Sequence, residues 1–219
     1  MRLQASSVGA GVPGGSFTGV VHSVFRRACN IRTDGGELLA LLAPELGNLP
    51  HGIRIEAPSG LAFAGHFRAG QRVGCRAALL RAAGSGLAVD LSTAAPWRCE
   101  LNAVDLARPA VAAAWQVAWR ALHNRRERHR DPLLGAVQGS ALALAEASRA
   151  LDVGRATAAV GALIGCGPGL TPAGDDLIVG LLAGLRCTAG DDPARAWFLR
   201  ALGAAVASAA LATGEISQA

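Results

Sequence analysis

Apolar positions in the first hundred residues come in short runs. "FTGVVHSVF", "ACNIRT", "ELLALLA", "GIRIEA", "LAFAGHF", "QRVGCRAALL" and "LAVDLSTA" follow one another, several of them rich in Val and Ile. Turn signals part them: Asp34-Gly35-Gly36, Pro58-Ser59-Gly60 and Gly84-Ser85-Gly86. Such close spacing predicts an antiparallel β barrel or sandwich-like domain over residues 1–100.

From Leu101 onward the texture is helical, with long alanine-rich segments and few β-branched clusters. Pro109 suits a first helical turn, and Val111, Trp115, Ala118, Trp119 and Leu122 recur at helical spacing. Further helices are predicted over 138–151, 153–164, 172–186 and 193–212. The fold class is therefore α+β: a β-rich domain, a joint near 97–109, and a helical domain over 101–219. Trp97, Trp115, Trp119 and Trp197 are expected to anchor the cores.

A hydrophobic content of 51% in 219 residues is enough for one sizeable core or two small ones. The start, "MRLQASSVGAGVPGGS", has no apolar stretch of leader length, and later apolar runs are short or broken by Gly, so a cytoplasmic protein without membrane partners is expected. Cys29, Cys75, Cys99, Cys166 and Cys187 lie far apart with no C-x-x-C pair, which fits buried free thiols. All 21 basic residues are arginine and tyrosine is absent. That composition excludes a lysine Schiff base, a P-loop lysine and a tyrosine acid or base.

The net charge of +5 is partly local. "WRALHNRRERHRDP" gathers Arg120, Arg125, Arg126, Arg128 and Arg130, with His123 and His129, at the end of one predicted helix. Cations there complement the helix dipole, and that solvated role is preferred to a nucleic-acid patch.

"GCGPGLTPAGDD", residues 165–176, stands out because it precedes the apolar run "LIVGLLAGL". Gly165, Gly167 and Gly169 permit positive φ and close approach of a ligand, Thr171 suits an N-cap, and Pro172 suits the first helical position. Loop and first-turn amides would then converge on a phosphate or carboxylate. Asp175 and Asp176 fall in that first turn, where acids are also favoured without any ligand. An anion beside both carboxylates needs a counterion, either Mg²⁺ or an arginine. No nucleotide or organic cofactor is expected.

The pattern G-x-G-P-G-L-T-P-x-G-D-D resembles the signature of the AllH-like family, which includes a subunit of oxamate carbamoyltransferase. It is matched by Gly165, Gly167, Pro168, Gly169, Leu170, Thr171, Pro172, Gly174, Asp175, Asp176 and, downstream, Gly180. Weaker similarity covers "VHSVFRRACNI", "GNLPHGIRI", "GQRV" and "TGEIS". The resemblance implies purine-nitrogen catabolism in the allantoin degradation route. The transferase moves a carbamoyl group between oxalurate and phosphate, giving oxamate and carbamoyl phosphate, in a complex with other subunits. Relatives continue with more helix after "TGEIS", so a further C-terminal segment is implied.

Other candidates are more ordinary residues. Cys166 lies inside the loop without a nearby histidine, and packing is the preferred role. His22, with Arg26 and Arg27, would form an anion receptor if the two domains meet there; the plainer role is a strand histidine. Asn48 and His51 flank a predicted turn and would line a cleft or bond to backbone. Thr213 and Ser217, four residues apart, would face a ligand together or bond back to helix carbonyls. The expected site combines Asp175, Asp176 and Thr171 as catalytic groups, the first two also as possible metal ligands. Gly165, Gly167, Gly169, Leu170, Gly174, His22, Asn48, His51, Thr213 and Ser217 are its expected substrate-binding residues, between the two domains. The small anionic substrate would be attacked directly by phosphate. Rival readings are a non-catalytic scaffolding subunit, a nucleic-acid binder using the arginine segment, and a small-molecule kinase, for which no nucleotide pocket is evident.

Overall fold

The computed structural model describes residues 1–58, 60–128, 132–167, 171–214 and 217, with backbone alone for 126–128 and 132–136. The chain divides into two compact units, Met1–Glu100 and Leu101–Gln218.

The first unit holds β1 (Arg2–Gly9), β2 (Phe17–Val24), β3 (Ala28–Thr33), β4 (Leu38–Leu42), β5 (Gly52–Glu56), β6 (Arg72–Arg76), β7 (Leu79–Ala82), β8 (Ala88–Asp90) and β9 (Ala95–Trp97). The order β5-β4-β3-β2-β6-β7-β8-β1-β9, with β1 also pairing β5, closes β1 to β8 into a ring and leaves β9 as an extra strand on β1. Alternation drives this: along β1, Leu3, Ala5 and Ser7 are buried and their neighbours are more exposed. The ring is filled by Ile31, Leu39, Leu41, Ile53, Ile55, Leu80 and Val89, as a small barrel requires.

Two features differ from the expectation of a purely antiparallel domain of strands. First, the barrel is mixed: β4–β5, β1–β8 and β1–β9 are parallel. The connection 43–51 is longer than a hairpin turn and brings β5 back in the direction of β4. Second, "LAFAGHF" is a 3₁₀ turn at Phe63–Gly65 rather than a strand. Phe63 and Phe67 are both buried there, ring centroids 5.9 Å apart, and belong to the barrel core.

The second unit holds α1 (Pro109–Arg128), α2 (Pro132–Ala150), α3 (Val153–Leu163), α4 (Ala173–Thr188) and α5 (Pro193–Ala209), followed by a 3₁₀ turn at Ala210–Ala212. Asp152 caps α3 by accepting from the Arg155 amide at 3.0 Å, and Asp192 caps α5 through the Ala194 and Arg195 amides. Leu144, Ala147, Ala156, Val160, Leu163, Ile178, Phe198 and Leu202 form the core. The span Pro193–Ala212, with mean hydropathy 1.2, is long and apolar enough by length and composition to cross a bilayer. Its Phe198 and Leu202 are nevertheless buried in this helical core.

The tryptophan expectation is corrected. Trp115 and Trp119 on α1 are 64% and 52% exposed, Trp197 is also exposed, and Trp97 is only half-buried. The helical spacing on α1 is real, but among the described residues no α1 (Pro109–Arg128) side chain belongs to the core that α2 to α5 build.

Candidate functional site

The glycine-rich loop begins where α3 ends. Ile164 turns extended, Gly165 takes φ 71° and Gly167 φ 119°, conformations that favour glycine. The Cys166 amide donates to the Leu163 carbonyl at 3.0 Å and its Sγ donates to the Ala162 carbonyl, so this half-buried thiol packs on the helix end. Pro168, Gly169 and Leu170 lie outside the described residues, which leaves the parts expected of Gly169 and Leu170 undescribed.

At the head of α4, Pro172 rather than Thr171 is the capping residue, and no side chain caps the helix. The expected Thr171 N-cap is thus corrected: the Asp175 and Asp176 amides donate to the Pro172 carbonyl at 2.9 and 3.2 Å, and the Gly174 amide donates to the Cys166 carbonyl at 2.9 Å. The loop backbone does what a capping hydroxyl would have done. Thr171 is exposed. Among the described residues no acceptor meets the amides of Gly167 and Ala173. These two are neighbours, since a Cβ on Gly167 would sit 2.7 Å from the Ala173 nitrogen.

Gly174 has a packing reason to be glycine. A Cβ there would stand 1.9 Å from the Leu163 carbonyl oxygen, so α3 and α4 touch backbone to backbone at this point.

Asp175 and Asp176 have opposite surroundings. Asp176 is exposed, whereas Asp175 is buried. Asp175 Oδ1 accepts from the Gly165 amide at 2.7 Å, and Oδ2 accepts from Thr213 Oγ1 at 2.5 Å. Ser217 also donates to this carboxylate. Burial alone would raise its pKa, but the Thr213 hydroxyl, the Gly165 amide and the Ser217 hydroxyl together hold it below the ordinary value. One carboxylate thereby clasps the loop start, the helix head and the turn that follows α5. Thr213 and Ser217 are brought together with Asp175, as partners of its carboxylate.

This geometry bears on the Mg²⁺ expected between the aspartates. Three donors already occupy Asp175, out of about four acceptor positions on a carboxylate. Among the described residues no group of three or more His, Cys, Asp or Glu is placed to hold a metal ion. The two aspartates do not fit as a joint metal clamp.

The remaining candidates belong to the barrel. Asn48 Oδ1 accepts from Ser7 Oγ at 2.6 Å. His51 lies over Gly11, its ring 2.8 Å from where a Cβ would be, and its Nδ1 is buried without a hydrogen bond. Leu49 and Pro50 place their carbonyls on Gly9, 2.3 and 2.2 Å from a Cβ position. The segment "NLPH" therefore rests on the end of β1, which brings Asn48 and His51 to one place. His22, on β2 beside a register shift, lies 3.2 Å from Ser23 Oγ through Nδ1. Arg26 and Arg27 beside it are exposed. Two polar groups escaped sequence reasoning: buried Ser7 and the buried, unpaired Nε of Arg54. Ser7 was findable as a polar residue in the inward period of Leu3, Ala5 and Ser7.

Comparison with known families agrees with these two regions. The AllH family N-terminal domain matches residues 4–96, and the family described as oxamate carbamoyltransferase subunit AllH matches residues 163–219. The chain belongs to the AllH family. That description makes its members one subunit of an enzyme and implies other subunits as partners. Searches of curated proteins and of solved structures find no match.

Proposed function

We propose that this chain serves as a subunit of an oxamate carbamoyltransferase-like enzyme and binds one of its small anionic reactants at the head of α4. The observation that carries the reading is the pair of adjacent amides, Gly167 and Ala173, without a described acceptor at a helix N-terminus. Of the other described amides of the loop and first turn, those of Gly165, Cys166, Gly174, Asp175 and Asp176 are satisfied internally. A carboxylate or phosphate oxygen is the natural acceptor for such a pair.

The neighbouring carboxylate then has a role without metal. Oxamate and the carbamoyl group both carry N–H donors beside their acidic oxygens. The amides hold an anionic oxygen, and exposed Asp176 accepts from the N–H end, which fixes the orientation of the reactant. Thr171 supplies a hydroxyl at the same rim, and Asp175 keeps the loop in place from within. In the forward direction a phosphate oxygen bonds to the carbamoyl carbon of oxalurate. The C–N bond breaks, and its electron pair stays on the oxamate nitrogen, which takes up a proton. Oriented amides favour the oxyanion character that develops at the carbamoyl oxygen.

Calorimetry with oxamate, phosphate and carbamoyl phosphate, each with and without Mg²⁺, tests this. Saturable binding that is indifferent to Mg²⁺ and about tenfold weaker in Asp176→Ala is expected. A second reading, a scaffolding subunit, is favoured by Gly174 and Asp175, whose identities packing alone explains. Full activity of the assembled enzyme with Asp176→Ala would select it.

A further inference from the structure

Beyond the loop, the outer face of the barrel carries a second group of residues in one place. Gly74 on β6 lies opposite Thr18 on β2 and opposite Arg81 on β7. Opposed residues share a face, and so do alternate residues of one strand, which adds Arg72 and Arg76. Gly74 is thus ringed by Thr18, Arg72, Arg76 and Arg81, with Arg81 diagonal to the other two arginines at about 7–8 Å between Cα atoms. A depression of about 500 Å³ opens over these residues, with Leu79 on its apolar side.

Charge in this ring is only partly balanced. Asp34 holds Arg72 through both carboxylate oxygens at 3.2 and 3.3 Å and is itself held by Thr18 Oγ1 at 2.5 Å. Among the described residues Arg76 and Arg81 have no ion-pair partner. Like charges on neighbouring sheet positions repel, and an anion between them reverses the sign.

Gly74 is the second, independent observation. Its φ is not positive, and a Cβ there would meet nothing nearer than Thr18 Cγ2 at 3.9 Å. By contrast, a Cβ on Gly19 of β2 would stand 2.2 Å from the Arg32 carbonyl oxygen. Packing explains Gly19 and not Gly74, although glycine weakens a strand and often marks the close approach of a ligand. The hairpin turn beside it places Ala77 and Ala78 at φ 48° and 60°, a conformation alanine adopts at a cost, and this two-residue turn sets Arg76 directly opposite Leu79.

We infer that the face around Gly74 binds a small phosphorylated molecule, its phosphate between Arg76 and Arg81 over the glycine and its apolar body against Leu79. Titration of the full chain with phenyl phosphate at fixed ionic strength tests this. Saturable binding is expected, weakened about tenfold in Arg76→Gln/Arg81→Gln and in Gly74→Val, and kept in the loop variant Thr171→Ala/Asp176→Asn. Gly74→Val should melt at the same temperature as the parent or higher, since valine suits a strand. Absence of saturable binding, or unchanged affinity in either barrel variant, overturns the inference.

Discussion

In the barrel each of the strands β1 to β8 has a neighbour on both sides, while in the helical unit α1 offers Trp115, Val117, Trp119 and Leu122 to solvent. Ring closure satisfies backbone and core together, so the barrel completes itself with branched aliphatic residues. The helical unit has a smaller described core, and its α3–α4 junction leans on one backbone contact at Gly174 and on the buried carboxylate of Asp175. The barrel has such contacts too, at Gly9 and Gly19, and a buried Asp90, but it embeds them in a larger apolar core. A single substitution at the α3–α4 junction should therefore cost the helical unit a larger share of its stability.

The sharpest test of that contrast is Gly174→Ala. Its Cβ would stand 1.9 Å from the Leu163 oxygen, so α3 and α4 must separate at a cost of about 3–5 kcal/mol. The helical circular dichroism signal should melt early while the barrel signal keeps its midpoint; an unchanged helical melt would remove the contrast. Asp175→Asn should follow, losing about 1–3 kcal/mol as an amide replaces the acceptor for Thr213 and Ser217. Faster hydrogen exchange at the Gly165 amide is the local readout.

Acid should reverse the order of vulnerability. In the barrel, the Thr18 hydroxyl and then Arg72 hold Asp34 low, the Thr33 hydroxyl holds Glu37 low, and Ser92, then Arg2, hold Asp90 low. In the helical unit Asp175 is the one described group so held. A carboxyl depressed in the folded state stabilises above its unfolded value of about 4, and that stability fades as pH falls through the folded value. Lowering the pH below about 4 should thus weaken the barrel more than the helical unit, measured by separate unfolding midpoints. The smallest effect concerns thiols. Exposed Cys99 should react with a thiol reagent at once, whereas Cys29, buried and pushed up to about 12, should react only when the barrel opens. Prompt labelling of Cys29 would show that the barrel opens readily.

What could be read in advance follows the range of each interaction. Alternation and turn residues are local, so β2 to β5, the stretch that holds β6 and β7, β8 and the change to helix were legible, whereas β1 was not read as a strand because its inward positions include Ala5 and Ser7 rather than large apolar residues. Strand β9 was not, because Pro96 removes a donor and only an edge position admits it. The parallel neighbours of β1 were also hidden, since they come from residues 88–97. At the glycine loop, spacing revealed the helix start and both aspartates. It could not divide their roles, because Asp175 is defined by a bond to Thr213, 38 residues away. Nor could it show that Gly174 answers to Leu163, a contact made only once α3 and α4 pack.

Strand β1 is synthesised before every strand it pairs with and is among the last to be complete. Its partners β5, β8 and β9 all follow it, the last ending at Trp97. One edge of β1 can pair as soon as β5 emerges, but the other edge, and with it the closure of the ring, waits for β8, which ends at Asp90. Fusions or pauses placed before residue 90 would prolong the exposure of that edge, and contacts this distant in sequence make closure slow even afterwards.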